Sequence, residues 1–141
     1  MRANRFINEN RLFDSVMVVV FILAFAGATY NHVVDLVSGG LFPYTKKWGT
    51  PVSFNLYWTS LTILDPFAIA ALIINVRAGY IVAFFIMLTD VPIHLYANVN
   101  YWSLEIHENY PLLMQIAFLI FLLSTVRRVW KLTCVNKERI I

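Results

Sequence analysis

The sequence is short of charged residues and nearly free of cysteine, and both shortages limit what the protein can be. Charged side chains make up 13% of the 141 residues, whereas hydrophobic residues make up 60% and the mean hydropathy is +0.67. A soluble domain usually carries about 25% charged residues. The single cysteine, Cys134, excludes an intrachain disulfide. These values predict an integral membrane protein, with residues 1–141 forming one domain.

Several kinds of chemistry lack their usual sequence signals. The chain has no glycine-rich phosphate loop, no nucleophile elbow and no recognised metal motif. No cofactor is identified by any motif. The basic residues near the C-terminal end are expected to contact anionic lipid, and no nucleic-acid partner is expected.

What the sequence does contain is four long apolar runs, each close to the roughly 20 residues that cross a bilayer as a helix. They cover residues 12–37, 54–76, 80–99 and 111–129. The fold predicted from them is an all-α bundle of four transmembrane helices. Residues 38–53 are expected to be a loop, in which Tyr44 and Trp48 suit an aromatic belt at the lipid headgroups. A tight turn at residues 77–79 is expected to join the second and third spans.

The charges between the spans predict an orientation. The N-terminal residues, the turn at Arg77 and the C-terminal tail are basic and fall on one side of a four-span bundle, whereas Glu105 and Glu108 fall on the other. Basic loops favour the cytoplasmic side. The chain is therefore predicted to be a multi-pass membrane protein with both termini cytoplasmic. Asp14, near the start of the first span, is expected to pair with Arg11.

Ionisable residues inside the spans are the main functional signal. An aspartate at the centre of a membrane helix costs about 2.5–3.5 kcal/mol on insertion scales, so such residues indicate function by default. Asp90, His94 and Asn98 are spaced i, i+4, i+8 and share one face of the third span. Asp65 lies midway along the second span, on a stripe with Trp58.

The other two spans add polar groups at the outer end of the bundle. His32 and Asp35 lie near the outer end of the first span. Gln115 lies one helical turn inward from the outer end of the fourth span. Pro66 and Pro92 are expected to free a backbone carbonyl at the depth of the two central acids. The inner halves of the spans are apolar, which argues against a pore through one protomer.

The pattern predicts an outward-opening cavity with an apolar floor, rimmed by the aromatic side chains of Tyr57, Trp58, Tyr96 and Trp102. The predicted ligand-binding residues are His32, Asp35, Trp58, Asp65, Asp90, His94, Asn98 and Gln115. Structural roles are the competing interpretation: a helix end at His32 and Asp35, and an Asp90–His94 pair that holds the bundle together. The His and Asp residues also include ligand types for a divalent ion, but a metal site is not the favoured interpretation.

The order of the spans and of their polar residues also resembles a known family, and this resemblance supports an intramembrane binding pocket. The run His-Val-Val-Asp-Leu-Val-Ser-Gly-Gly-Leu-Phe-Pro at residues 32–43, the pair Asp65–Pro66 and Arg-Leu-Phe-Asp at 11–14 resemble the EXPERA family, which includes emopamil-binding protein. The resemblance implies an intramembrane pocket whose acids, at Asp35 and Asp65, bind a cationic ligand or move a proton. The first loop is shorter here, and the second span lacks the family's His-x-x-x-Glu pairing.

The favoured function is binding of a small lipophilic or amine-bearing ligand in this cavity. One alternative is a membrane enzyme in which Asp90 and His94 transfer a proton on a lipid substrate; no catalytic residue is assigned. Another is an accessory subunit of a membrane complex, whose polar groups bond to a partner helix. A third is a proton-coupled transporter, or a channel formed by a homo-oligomer. The lipid bilayer is the partner common to all of them.

Overall fold

The computed structural model describes residues 2–137, with side chains described for residues 12–131. Within that range all regular secondary structure is helical. The helices are α1 (Arg2–Gly39), α2 (Pro43–Trp48), α3 (Val52–Ile74), α4 (Val76–Ala97) and α5 (Tyr110–Lys137). A π-helical turn (Asn98–Trp102) and a 3-10 turn (Ile106–Glu108) lie between α4 and α5.

Four helical segments are long and apolar enough to cross a membrane, as the sequence predicts. They are Leu12–Gly39, Val52–Ile74, Val76–Trp102 and Tyr110–Lys131. Their outward faces carry exposed apolar side chains, such as Ile63 at 75% and Phe85 at 60% exposure. This arrangement suits helices surrounded by lipid. The four-helix architecture is therefore confirmed, with bounds that differ from the prediction by a few residues.

The turn between the second and third spans lies two residues earlier than predicted. α3 ends and α4 begins at one residue, Asn75, whose backbone is extended (φ −152°, ψ 107°). Its side-chain oxygen accepts hydrogen bonds from the N–H groups of Arg77 (3.0 Å) and Ala78 (3.3 Å). Because asparagine is a strong N-cap, the helix starts directly after it. The predicted turn at 77–79 is thus wrong, and these residues form the first turn of α4.

Gly79 has a packing role instead of a turn role. A Cβ atom at this position would lie 2.3 Å from the backbone N of Leu72, which is too close for any side chain. Glycine therefore lets α4 approach the backbone of α3 next to their junction.

The first loop is not irregular throughout, because it contains α2. Pro43 occupies the first turn of this short helix, where its fixed φ is favourable. Gly49 ends it with φ 68°, and its N–H donates to the carbonyl of Thr45 over 3.0 Å. α3 and α4 remain helical through Pro66 and Pro92, which lie on exposed faces.

The spans pack in the order α1, α3, α4, α5, and aromatic rings connect α1 back to α5. Phe21 of α1 is fully buried. Its ring centroid lies 6.1 Å from Tyr80, 5.9 Å from Phe118 and 5.4 Å from Phe121. The core around Phe21 is therefore continuous across the bundle.

The two ends of the bundle differ in composition. The hairpin end carries Asn75, the start of α4 and the basic part of α5. The connector end carries α2 and residues 98–109. At the hairpin end Arg128 donates a hydrogen bond to Asp14. The expected partner of Asp14 was Arg11, whose side chain lies outside the described residues; the contact that the structure shows joins α1 to α5.

Candidate functional site

Polar side chains from all five α-helices meet between the connector end and the middle of the spans. We call this group the polar cluster. It consists of His32, Asp35, Tyr44, Trp58, Thr62, Asp65, Asp90, His94, Trp102 and Gln115. Its two central carboxyl groups are buried, with Asp65 at 1% and Asp90 at 4% exposure.

Asp90 connects three helices through its two oxygens. The indole N–H of Trp58 on α3 donates to Oδ1 over 3.1 Å, and the amide of Gln115 on α5 donates to Oδ2 over 2.7 Å. Both oxygens accept, as suits a carboxylate anion. Both donors are neutral groups. The buried carboxyl group of Asp90 is therefore hydrogen-bonded by two neutral polar groups, and neither of these contacts supplies a positive charge.

Asp65 lies at the inner end of a chain of polar groups that starts at Asp35. The Tyr44 hydroxyl donates to Asp35 Oδ2 over 3.0 Å. The same hydroxyl oxygen lies 3.0 Å from His32 Nδ1. On the other side of the imidazole, His32 Nε2 lies 3.8 Å from Asp65 Oδ2. The order from the connector end inward is therefore Asp35, Tyr44, His32, Asp65.

The directions of these hydrogen bonds determine the histidine tautomer. A tyrosine hydroxyl has one proton, and Tyr44 donates it to Asp35, so His32 Nδ1 must be the donor to Tyr44. Nε2 faces Asp65 Oδ2 at 3.8 Å, which is longer than a hydrogen bond, so Asp65 Oδ2 stays available as an acceptor. A proton on either atom would convert this contact into a donor–acceptor pair.

Tyr44 is positioned by an asparagine on α3. Asn55 is fully buried; its Oδ1 accepts from the backbone N–H of Tyr44 over 3.0 Å, and its amide donates to the carbonyl of Leu41 over 2.8 Å. Burial, with Asp35 beside it, raises the pKa of the Tyr44 hydroxyl. The hydroxyl is therefore neutral at ordinary pH.

Sequence reasoning missed both Tyr44 and Asn55 as parts of the site. Tyr44 was expected at the headgroups, because its place in a loop gives no sign that α2 turns it inward. Asn55 did carry a signal, since it shares a helical stripe with Trp58 and Asp65. A fully buried amide on the same face as a buried acid points to a polar network.

Aromatic rings cover the cluster toward the connector end. Trp58, at 2% exposure, stacks on Trp102 with 5.7 Å between ring centroids. Trp102 lies 5.6 Å from Trp48 and 4.7 Å from His94. Trp58 is therefore inside the cluster and not on its rim. The predicted rim residue Tyr57 faces α4 instead, with its hydroxyl 2.7 Å from Thr89 Oγ1.

The predicted stripe Asp90–His94–Asn98 divides into different environments. The hydrogen bonds of Asp90 go to Trp58 and Gln115, and the acid–histidine contact within the cluster is His32–Asp65, on two different helices. His94 Nδ1 is buried and has no hydrogen-bond partner among the described residues.

Asn98 lies outside the cluster and fastens the connector. Its amide donates to the carbonyl of Leu104 over 2.9 Å, and its oxygen accepts from Asn109 over 2.7 Å. Asn109 in turn accepts from the N–H of Leu112 at the start of α5. Asn98 lies about 12 Å along the helix axis and about 80° around it from Asp90, so the i, i+8 spacing does not bring the two side chains together.

Five buried polar atoms in or beside the cluster have no hydrogen-bond partner among the described residues. They are Thr62 Oγ1, Asp65 Oδ2, His94 Nδ1, Trp102 Nε1 and Gln115 Oε1. Buried polar groups are paired in the great majority of cases. Exchanging the oxygen and nitrogen of the Gln115 amide would not remove its unpaired atom, because Asp90 needs the amide nitrogen as a donor. The cluster therefore offers free acceptors and donors in the protein interior.

Two further features bear on what the site can hold. A surface depression of about 760 Å³ opens at the connector end beside the cluster. It is lined by Asn98, Val99, Ser103, Leu104, Glu105, Ile106, His107 and Leu113.

Among the residues that the structure describes, no group of three or more His, Cys, Asp or Glu side chains is arranged to hold a metal ion.

The chain matches no protein-family model, and no curated protein or solved structure is significantly similar to it. The resemblance to the EXPERA family therefore stays a prediction. The function has to be argued from the cluster itself.

Proposed function

We propose that the chain is an integral membrane protein that binds a small lipophilic ligand with a protonated amine in the polar cluster. The observation that carries the proposal is the buried carboxyl of Asp90, whose two oxygens accept, among the described residues, from the neutral side chains of Trp58 and Gln115. A buried charge without a counter-charge is costly. A cationic ligand between α3, α4 and α5 supplies that counter-charge.

The unpaired acceptors support an amine in particular. Asp65 Oδ2 and Gln115 Oε1 are buried acceptors without a hydrogen bond among the described residues. An ammonium group brings N–H donors, and it stabilises acceptors more strongly than a neutral donor does. An anionic ligand would face two carboxyl groups, Asp65 and Asp90, and is disfavoured.

The aromatic side chains support a lipophilic body on that amine. The rings of Trp58, Trp102 and His94 form one apolar wall next to Asp90. Tryptophan faces also attract cations, by about 0.5–2 kcal/mol depending on desolvation. The ligand therefore places its charge against the acids and its apolar part against the rings.

Entry is proposed from the connector end, past Trp102. This residue ends a π-turn, a rare element that occurs frequently at functional sites. The next residue, Ser103, has φ 52°, a left-handed backbone that is uncommon for residues other than glycine. A turn with stored strain next to the covering ring suits a segment that rearranges when a ligand enters.

The orientation is part of the proposal. The hairpin end carries Arg77, Arg127, Arg128 and Lys131, and the connector end carries Asp35, Glu105 and Glu108 beside Lys46 and Lys47. The excess of basic residues supports a cytoplasmic location for the hairpin end and both termini. The ligand would then arrive from the opposite side or from the outer leaflet.

The test uses the full chain in lipid nanodiscs with N,N-dimethyloctylamine as the probe. Calorimetric titration is expected to show binding that weakens by roughly tenfold or more in Asp90→Asn, because a hydrogen-bonded charge contributes about 1.5–3 kcal/mol. Asp14→Asn removes a carboxyl at the hairpin end and is the matched control. Native mass spectrometry of the same samples reports any organic molecule that co-purifies.

The neutral octyl methyl ether completes the experiment. The proposal predicts that the ether binds more weakly than the amine, since it cannot supply a counter-charge. Equal binding of ether and amine, or unchanged amine affinity in Asp90→Asn, would contradict an amine site at Asp90.

One observation favours a second candidate, a membrane enzyme that moves a proton on a lipid substrate. His32 Nε2 lies 3.8 Å from Asp65 Oδ2, and an acid–histidine pair is a common proton-transfer unit. If this candidate is correct, turnover depends on His32 and Asp65. The pair expected from the sequence, Asp90 and His94, would then not be the reacting pair.

A further inference from the structure

The buried Asp65 is connected to the connector end by a continuous row of groups that can give and accept protons. Three contacts make up the row: Asp35 to Tyr44 at 3.0 Å, Tyr44 to His32 at 3.0 Å, and His32 to Asp65 at 3.8 Å. Exposure decreases along it, from the half-buried Asp35 to Asp65 at 1%. We infer that Asp35, Tyr44 and His32 form a proton path that gives Asp65 access to the connector side of the bundle only. This goes beyond ligand binding, and it does not depend on the ligand.

The transfer balances without any co-reactant. Starting from protonated Asp65, its proton moves to His32 Nε2 while the Nδ1 proton moves to the Tyr44 oxygen. The original hydroxyl proton of Tyr44 moves to Asp35, which releases it to water. The products are ionised Asp65, neutral His32 protonated at Nε2, neutral Tyr44 and ionised Asp35, plus one proton in solution. Uptake follows the same steps in reverse.

Two of the contacts already have hydrogen-bond lengths, and the third is longer. A hydrogen bond of this type has a heavy-atom distance of about 2.7–3.2 Å. The 3.8 Å between His32 Nε2 and Asp65 Oδ2 therefore has to shorten during transfer. This makes the His32–Asp65 contact the step at which access to Asp65 is controlled.

Tyr44 acts as a relay and not as a base. Its pKa is raised by burial and by the neighbouring Asp35, so the hydroxyl stays protonated. A neutral hydroxyl can still pass a proton, because it accepts one on its oxygen while it releases another. Replacement by phenylalanine removes this ability and keeps the ring.

Among the side chains that the structure describes, no comparable row of hydrogen-bonding groups leads from Asp65 to the hairpin end. The core there is built from apolar side chains of α1 and α3. They are Met17, Phe21, Phe25, Ala68 and Leu72, each at 2% exposure or less. Protons do not cross a packed apolar core without polar groups or water. Asp65 is therefore expected to equilibrate with the connector side.

Every packed helix contributes a polar neighbour to the path, and the titratable neighbours named here come from α1, α2, α3 and α4. Asp65 faces His32 of α1, and the charge of Asp90 on α4 acts on it. His32 is influenced by Asp35 of its own helix and faces Tyr44 of α2, and it interacts electrostatically with His94 of α4. α5 contributes the neutral amide of Gln115.

The experiment is time-resolved infrared spectroscopy of the full chain in nanodiscs after a rapid change of pH. Proton transfer is followed through the carboxyl band of Asp65 and the ring bands of His32, assigned from Asp65→Asn and His32→Gln. Tyr44→Phe is expected to slow the proton's appearance and loss roughly tenfold or more, within the range of relay groups. Tyr80→Phe is the matched control, since it removes a buried hydroxyl that donates to Leu122 at the hairpin end.

A second variant keeps the test valid if Tyr44→Phe does not fold. Asp35→Asn can still accept from Tyr44 but cannot take up the proton, so it should slow the same bands. The inference is overturned if both folded variants titrate Asp65 and His32 at the wild-type rate, or if neither group shows a pH-dependent band. Because no ligand is present, these outcomes are separate from those of the binding test.

Discussion

The side-chain amide of Gln115 donates a hydrogen bond to Asp90 over 2.7 Å, and this contact joins α5 to α4 inside the bundle. The contact leaves the other atom of the same amide, Gln115 Oε1, buried without a hydrogen-bond partner among the described residues. One residue therefore both stabilises the bundle and presents a free acceptor to the site. The two roles can be separated by substitution.

Gln115→Leu removes the donor and leaves Asp90 Oδ2 without it. We expect a loss of about 1–3 kcal/mol in the free energy of unfolding, the usual cost of an unsatisfied buried group. Asp90→Asn should cost less, because the new amide can donate to Gln115 Oε1 after the glutamine turns over. Reversible unfolding in mixed micelles measures both values. An equal or larger loss in Asp90→Asn would contradict this account of the pair.

Gly79→Ala tests the close approach of α3 and α4. The added Cβ would meet backbone atoms of Leu72 at 2.3 and 2.4 Å, so the helices must separate. We expect a loss of about 1–3 kcal/mol, as for other overpacked sites. Gly27→Ala is the control, since a Cβ there meets nothing within 4 Å. It should be neutral or stabilise the helix by up to about 1 kcal/mol.

Asn55→Ala tests how Tyr44 is held in place. The substitution leaves the N–H of Tyr44 and the carbonyl of Leu41 without the partners that Asn55 provides. The midpoint of thermal unfolding should fall, by an amount that corresponds to about 1–3 kcal/mol per unsatisfied group. Asn31→Ala changes the same residue type at an exposed position of α1 and should have little effect. Similar midpoints for the two variants would rule out the anchoring role.

The raised pKa of Tyr44 predicts a loss of stability at alkaline pH. In the unfolded chain the hydroxyl ionises near its ordinary value of 10.0, whereas in the folded chain burial and Asp35 keep it neutral. This contribution to stability is complete below the unfolded pKa and is lost as pH rises above it. Tyr44→Phe should therefore show a shallower decline in unfolding free energy between about pH 9 and about pH 11. Parallel pH curves for the two proteins would contradict the prediction.

The ion pair of Asp14 and Arg128 is expected to join the ends of α1 and α5. Both side chains are partly exposed, at 18% and 35%, so the coupling should be about 1 kcal/mol or less. A double-mutant cycle with Asp14→Asn and Arg128→Gln measures it directly. Exchange of the two charges, as Asp14→Arg with Arg128→Asp, should recover part of the coupling. Purely additive effects would show that the contact does not stabilise the fold.

The sequence by itself determined the architecture, because hydrophobic run length and bilayer thickness leave few alternatives. Four runs near 20 residues predicted four helices, and the structure has four apolar helices of that length. The sequence also placed acids at mid-span: Asp65 and Asp90 are both buried there. These inferences depend on local composition and on distance along one helix, which a sequence records directly.

Only the tertiary structure decided which polar groups meet, because rotation and tilt of each helix are set by packing between helices. A stripe on one helix suggested Asp90 with His94, whereas packing brings His32 of α1 to Asp65 of α3. Tyr44 lies in the site because the side chain of Asn55 accepts a hydrogen bond from its backbone N–H and donates one to the carbonyl of Leu41. These two bonds hold α2 against α3. Asn98 lies outside the site, because its side chain hydrogen-bonds to Leu104 and Asn109 of the connector. Contacts between residues far apart in the chain depend on how the whole bundle closes, and no local pattern specifies that.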